Sequence, residues 1–157
     1  MHLGGVTANP TGEWTVQQAR NLALSFGERF GDVKFLIRDR GSNFTSSFDA
    51  IFQAAGTRIL RTAVQAPRMK AICEPLVGTL RRELLDHTLI LGERHLRAVL
   101  AEYQAHYNKA RPHQGIAQHV PDGEPDGPRA TVTDVSAQQI RRKPVLGGLI
   151  NEYSRAA

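Results

Sequence analysis

The sequence predicts an α/β fold in which strands and helices alternate in layers, and three observations lead there. A compact run rich in β-formers, Val33-Lys34-Phe35-Leu36-Ile37-Arg38, ends at the polar loop Asp39-Arg40-Gly41-Ser42-Asn43, the pattern of a buried strand. Leu96, Val99, Leu100, Tyr103 and Tyr107 recur at i, i+3, i+4, i+7 and i+11, the spacing of one helical face. Along the chain the period switches repeatedly, giving strand, helix, strand, helix, strand, helix, helix, an order that builds an α/β layer structure.

The first element, Met1 to Thr7, is short and apolar and runs into Asn9-Pro10-Thr11-Gly12, which predicts a strand entering a turn. Val16, Ala19, Leu22, Ala23 and Phe26 then share a helical face, with a start at Thr11 or Gly12 and a stop at Gly27 or Gly31. After the Val33–Arg38 strand, Ser46 or Ser47 caps a short helix through Phe48, Ile51 and Phe52, which Gly56 ends. Arg58 to Val64 alternates as a further strand. Ile72 to Leu85 is helical, with Leu76, Leu80 and Leu84 four apart, and Gly92 precedes the amphipathic helix described above. Beyond Arg111-Pro112 the periodicity dissolves. Pro121 to Pro128 reads as a loop or linker, and Val145 to Tyr153 adds a short strand.

At 157 residues the chain is long enough for one domain with a hydrophobic core. It has no run of about eighteen apolar residues, which argues against a transmembrane helix, and its start lacks the signature of a signal peptide. A cytoplasmic location is expected. Cys73 is the single cysteine, so an internal disulfide and a cysteine-cluster zinc site are excluded, and a buried thiol is expected.

The net charge is +5 and the pI about 9.9. Arg58, Arg61, Arg68, Lys70, Arg81 and Arg82 cluster against one acid, Glu74. Such a face suits a polyanion, and a solvated surface is the alternative. His106 and His113 lack the companion ligands of a metal site. Tyr103 and Tyr107 extend the apolar stripe and face the core, while Trp14 packs at its helix start or contacts DNA.

Two carboxylates stand out by position. Asp39 ends the apolar strand and Glu74 opens a helix within the basic stretch, 35 positions later. Carboxylates from a strand end and a helix can hold divalent cations for phosphoryl transfer, and hard oxygen ligands select Mg²⁺ or Mn²⁺. Taken alone, a surface Asp and a helix-start Glu favoured by the macrodipole are the better explanation of the pair.

The neighbouring residues add a resemblance. Asp39-Arg40-Gly41-Ser42-Asn43-Phe44 is similar to the D-x-G-x-x-F/Y strand end of bacterial insertion-sequence transposases with a retroviral-integrase-type catalytic core. Ala71-Ile72-Cys73-Glu74, followed by Gly78-Thr79-Leu80-Arg81-Arg82-Glu83, resembles their A-x-x-E-x-x-x-G-T-L-K/R-x-E helix, and Tyr107-Asn108-Lys109-Ala110-Arg111-Pro112-His113 their closing Y-N-x-x-R-P-H. The resemblance covers roughly Met1 to Gly115. It implies an RNase H-like mixed sheet flanked by helices, with two Asp and one Glu holding two metal ions. Asp39 and Glu74 match the second and third acids, as catalytic residues and Mg²⁺ or Mn²⁺ ligands. Arg68, Lys70, Arg81 and Arg82 become candidate DNA contacts.

The chain also departs from this family. The family's first Asp lies upstream of the segment matched by Met1 to Thr7, and here no Asp precedes Asp32. An N-terminally truncated core is expected, with residues 1–115 as the partial catalytic domain, lacking its first strand, and 116–157 as linker and tail. Lys70 stands where the family has Asn, and Pro75 follows Glu74, tolerable only where the helix begins at Cys73 or Glu74. The chain alone is expected not to catalyse strand transfer. Its partners are expected to be DNA and either further copies of itself or an intact transposase subunit. The other reading is a non-catalytic remnant that binds DNA or pairs with a transposase.

Overall fold

A computed structural model describes residues 1–62, 73–123 and 140–155. The fold is mixed α/β and divides into two compact units, Gly4–Leu85 and a second made of Met1–Leu3 with Asp86–Ala157.

In the Gly4–Leu85 unit, helix α1 (Gly12–Phe26) starts because the Thr11 side chain accepts from the Trp14 N–H at 3.2 Å. Val16 and Ala19 point inward. A short 3₁₀ turn (Gly27–Asp32) brings in Phe30 and leads to strand β1 (Phe35–Arg38). Helix α2 (Ser46–Ala54) is capped by Thr45, not by Ser46 or Ser47. Thr45 has the extended backbone that a cap requires, and its hydroxyl accepts from Phe48 N at 3.4 Å, so the serines fall inside the first turn. Gly56 follows the helix with φ of 81°, a left-handed conformation that glycine adopts without a steric cost.

Strand β2 (Arg58–Arg61) then pairs in parallel with β1, aligning Leu36 with Ile59 and Arg38 with Arg61. Bonds from Arg58 N to Lys34 O and from Thr62 N to Arg38 O, both 2.9 Å, extend the ladder. The α2 crossover makes this a βαβ unit, the connection that parallel strands need. Its core is Val16, Ala19, Phe30, Phe48 and Phe52, with Leu22, Leu36, Phe44 and Ile59 packed against it.

Strand β1 corrects the expectation of a strand buried on both faces. Phe35 and Ile37 remain 54% and 47% exposed while Leu36 and Arg38 turn inward. Among the described residues only one face is covered, so the alternation of a half-buried strand appears. Val64, expected within the second strand, lies outside the described residues. The unit ends with helix α3 (Cys73–Glu83). Leu76 and Leu80 are half-buried and Leu84 fully buried.

In the second unit, helix α4 (Glu93–Lys109) begins after Gly92, with Tyr103 fully buried. In place of the single short strand expected there, an antiparallel hairpin forms from β3 (Ile140–Val145) and β4 (Ile150–Arg155), turning through Leu146–Gly148. The turn is possible because Gly147 and Gly148 take φ of 65° and 97°. Met1–Thr7 is not a strand. Its first polar groups go to α4 side chains instead of a ladder: the Met1 ammonium donates to Asn108 Oδ1 at 2.6 Å, Asn108 Nδ2 to Met1 O at 2.8 Å, and Leu3 N to Gln104 Oε1 at 2.8 Å. Residues 124–128 of the expected linker lie outside the described residues.

Candidate functional site

Asp39 sits where β1 ends, and the backbone on either side of it is fastened. Arg38, 7% exposed, makes a two-pronged pair with buried Asp49 of α2: Nε donates to Oδ1 at 2.7 Å and Nη2 to Oδ2 at 2.6 Å. Its third nitrogen, Nη1, donates to the Asp39 carbonyl at 2.8 Å. On the other side, Asp39 Oδ1 accepts from Gly41 N at 2.9 Å. A Cβ at Gly41 would stand 3.0 Å from Asp39 Oδ1 and 2.5 Å from Asn43 Oδ1, so a larger residue would displace the Asn43 side chain and crowd the carboxylate.

The parallel register also sets Arg38 beside Arg61, two like charges that would repel if unrelieved. Asp49 lies between them and takes a second bond from Arg61 Nη2 at 3.1 Å. The Arg38 hydrogen bond above all, joined by Arg61, holds the Asp49 carboxyl below the usual carboxylate range, and the same pairing raises Arg38. Nothing in the sequence flagged Asp49. A pair eleven positions apart has no periodic signature, and the only available hint was an acid in the first turn of a short helix.

Glu74 is exposed in the first described turn of α3, where an acid favours the helix dipole. Pro75 occupies the same described turn. Cys73 is exposed, which corrects the expected buried thiol. Residues 73 to 75 all face outward, and the helix turns toward protein only at Leu76.

A cavity of about 410 Å³ is lined by Ile37, Asp39, Phe44, Thr62 and Cys73 among others. The strand end at Asp39 and helix α3 at Cys73 thus border one hollow, and Glu74, the next residue along, is exposed and does not line it. Both carboxylates offer the hard oxygens that Mg²⁺ or Mn²⁺ prefers. Among the described residues, however, no group of three or more His, Cys, Asp or Glu could hold a metal ion, so a complete site is not assembled from them.

Arg81 and Arg82 occupy the last turn of α3, where cations are favourable whatever else they do. They lie roughly 10–12 Å along the axis from Glu74 at 1.5 Å per residue, too far to share one phosphate with it. Arg82 folds back over Gly78. Arg68 and Lys70 lie outside the described residues.

In the second unit the Tyr107-to-His113 segment closes on itself. The His113 ring meets Tyr107 edge-on with centroids 4.4 Å apart, and the Arg111 guanidinium lies 5.4 Å over Tyr107. His113 Nε2 is 3.2 Å from Tyr107 O and Nδ1 is 3.3 Å from Arg111 Nη1, contacts that both hold when Nε2 carries the proton. His106 pairs through Nδ1 with Glu152 at 2.9 Å. These geometries describe a clasp at the end of α4.

Residues 55–121 match the family model described as integrase core domain. The chain is also 31% identical, over 119 residues, to an uncharacterized 31.7 kDa protein of insertion element IS407 from Burkholderia multivorans. The chain shares an integrase-type core with insertion-element proteins. The alignment takes in 74% of this chain, and the chain spans 43% of that relative's length. The family match includes Glu74, α4 and the closing clasp; Asp39 lies upstream of it. Among the described residues no helix is long and apolar enough to cross a membrane.

Proposed function

We propose that this chain supplies the Asp39 and Glu74 limb of an RNase H-like integrase core that acts on DNA during transposition. Residues 1–115 would form part of the catalytic domain and residues 116–157 a linker and tail. The observation that carries the proposal is the shared hollow bordered by Asp39 and the start of α3. Asp39 and Glu74 are the groups that would hold Mg²⁺ or Mn²⁺, ions that support phosphodiester cleavage and strand transfer when bound. Arg81 and Arg82, with Arg68 and Lys70, contact backbone phosphates and align the duplex; they do not read its sequence.

Two carboxylates are one short of the family's set, so the isolated chain binds DNA without cutting or joining it. Incubating the purified chain with end-labelled duplex and Mg²⁺ or Mn²⁺ tests this. Bound but uncut DNA is expected, with binding that persists in EDTA and weakens steeply with salt. Nicking or joining that Asp39→Asn abolishes would show the chain to be an enzyme by itself. No binding even at low salt would remove DNA as the partner.

A further inference from the structure

A second cavity, of about 360 Å³, opens on the other side of the Asp39 loop and is lined by Arg38, Arg40, Gly41, Ser42, Phe44 and Arg61. Arg38 and Phe44 border both hollows. Three guanidiniums therefore converge here against two carboxylates: Asp49, buried and already taken by Arg38 and Arg61, and Asp39, whose charge also reaches Arg38. The local charge is left positive.

The three arginines are not equivalent. Arg38 is buried and spends its N–H groups on Asp49 and the Asp39 carbonyl. It is part of the wall. Arg61 gives one bond to Asp49 and its side chain stays 61% exposed. Arg40 is exposed and anchored by a single bond, Nε to Thr62 O at 3.2 Å. Among the described residues nothing further engages the remaining N–H groups of either, and the exposed Ser42 stands beside them.

Two partly anchored guanidiniums around a small hollow match the tetrahedral oxygens of a phosphodiester, which arginine binds in planar, two-pronged fashion. We propose that Arg40 and Arg61, with Ser42, seat one backbone phosphate of duplex DNA, next along the strand from the phosphate presented to Asp39. This rests on the reading of the chain as DNA-acting and adds a phosphate seat distinct from Arg68, Lys70, Arg81 and Arg82. Arg38 and Asp49 are positioning residues for this seat: by neutralising each other they keep Arg61 against the wall without drawing in its whole charge.

The test is fluorescence anisotropy of the full chain with a fluorescein-labelled mixed-sequence duplex, titrated across a range of salt concentrations. Arg40→Gln/Arg61→Gln should make the log–log salt dependence shallower by about 0.9 for each phosphate no longer neutralised and weaken binding roughly five- to tenfold at 0.1 M salt. Arg20→Gln/Arg29→Gln, which removes the same charge from exposed positions elsewhere in the unit, should change both much less. Equal effects of the two pairs would overturn the seat while leaving the DNA reading intact; failure of the wild-type chain to bind would overturn the DNA reading first. Arg40→Lys/Arg61→Lys keeps both charges and should retain the wild-type slope, and a shallow slope there too would remove the charge argument and the proposal with it.

Discussion

The Gly4–Leu85 unit and the unit of Asp86–Ala157 with Met1–Leu3 hold their shapes by different means. The first has an aromatic core in which Phe30, Phe48 and Phe52 stack at centroid distances of 5.2 Å, closed by a buried Arg38–Asp49 pair. The second hangs on polar staples, with Asn108 and Gln104 gripping the first residues and Glu152 bridging His106 and Lys143. A buried charge is costly unless paired, so the first unit depends sharply on its ion pair. The staples of the second are only part-buried and are spread over several groups, so losing any one should cost it less than the first unit loses with its ion pair. The two units can be followed separately, because the one tryptophan, Trp14, lies in the first and the three tyrosines in the second.

The largest effect that could break this comparison is Asp49→Ala. It strands Arg38 and should lower the stability of the Trp14-reported transition by about 3–5 kcal/mol in urea. Glu152→Ala should cost the tyrosine-reported transition about 1 kcal/mol or less, given the exposure of Lys143. Similar losses would mean that the two units are built alike. Arg38→Met/Asp49→Leu should recover much of the loss, since apolar residues can replace a buried pair.

Acid should give the next largest contrast. Asp49 and Glu152 both have folded-state carboxyls held below their ordinary values, Asp49 first by Arg38 and Glu152 first by its bond to His106. A depressed carboxyl contributes stability that is complete above its unfolded pKa, about 3.9 for Asp and 4.3 for Glu. That contribution fades as pH falls through the folded value. Thermal melts between pH 5 and 2 should therefore lower the Trp14 transition further than the tyrosine one. A larger fall in the tyrosine signal would reverse the ranking.

The smallest effects sharpen the first unit alone. Thr45→Ala and Thr11→Ala each remove a helix cap and should cost about 1 kcal/mol in the same urea titration. An unchanged midpoint for Thr45→Ala would show that packing by Phe48 and Phe52, not the cap, decides where α2 starts.

The helices were legible because each carries its information locally. The Leu96-to-Tyr107 stripe, the Thr11 start and the Gly27 stop all act within a few residues, and α1 and α4 form where those signals lie. The strands were only half legible. Val33–Arg38 looked buried on both sides because composition cannot say which faces will be covered, and Met1–Thr7 looked like a strand because an apolar run does not reveal whether a pairing partner exists. Cys73 was misjudged for a similar reason: burial of a thiol depends on which way its helix turn faces.

The sequence by itself determined the likeness of this chain to integrase-type cores, the positions of Asp39 and Glu74 at a strand end and a helix start, and the basic character around them. These are properties of residue order. The tertiary structure alone decided that β2 lies parallel to β1 in a register placing Arg61 beside Arg38, that Asp49 comes between them, and that Arg40 and Arg61 face one hollow. Contacts between residues 11 to 23 positions apart follow from how the α2 crossover closes, and no local pattern encodes that closure.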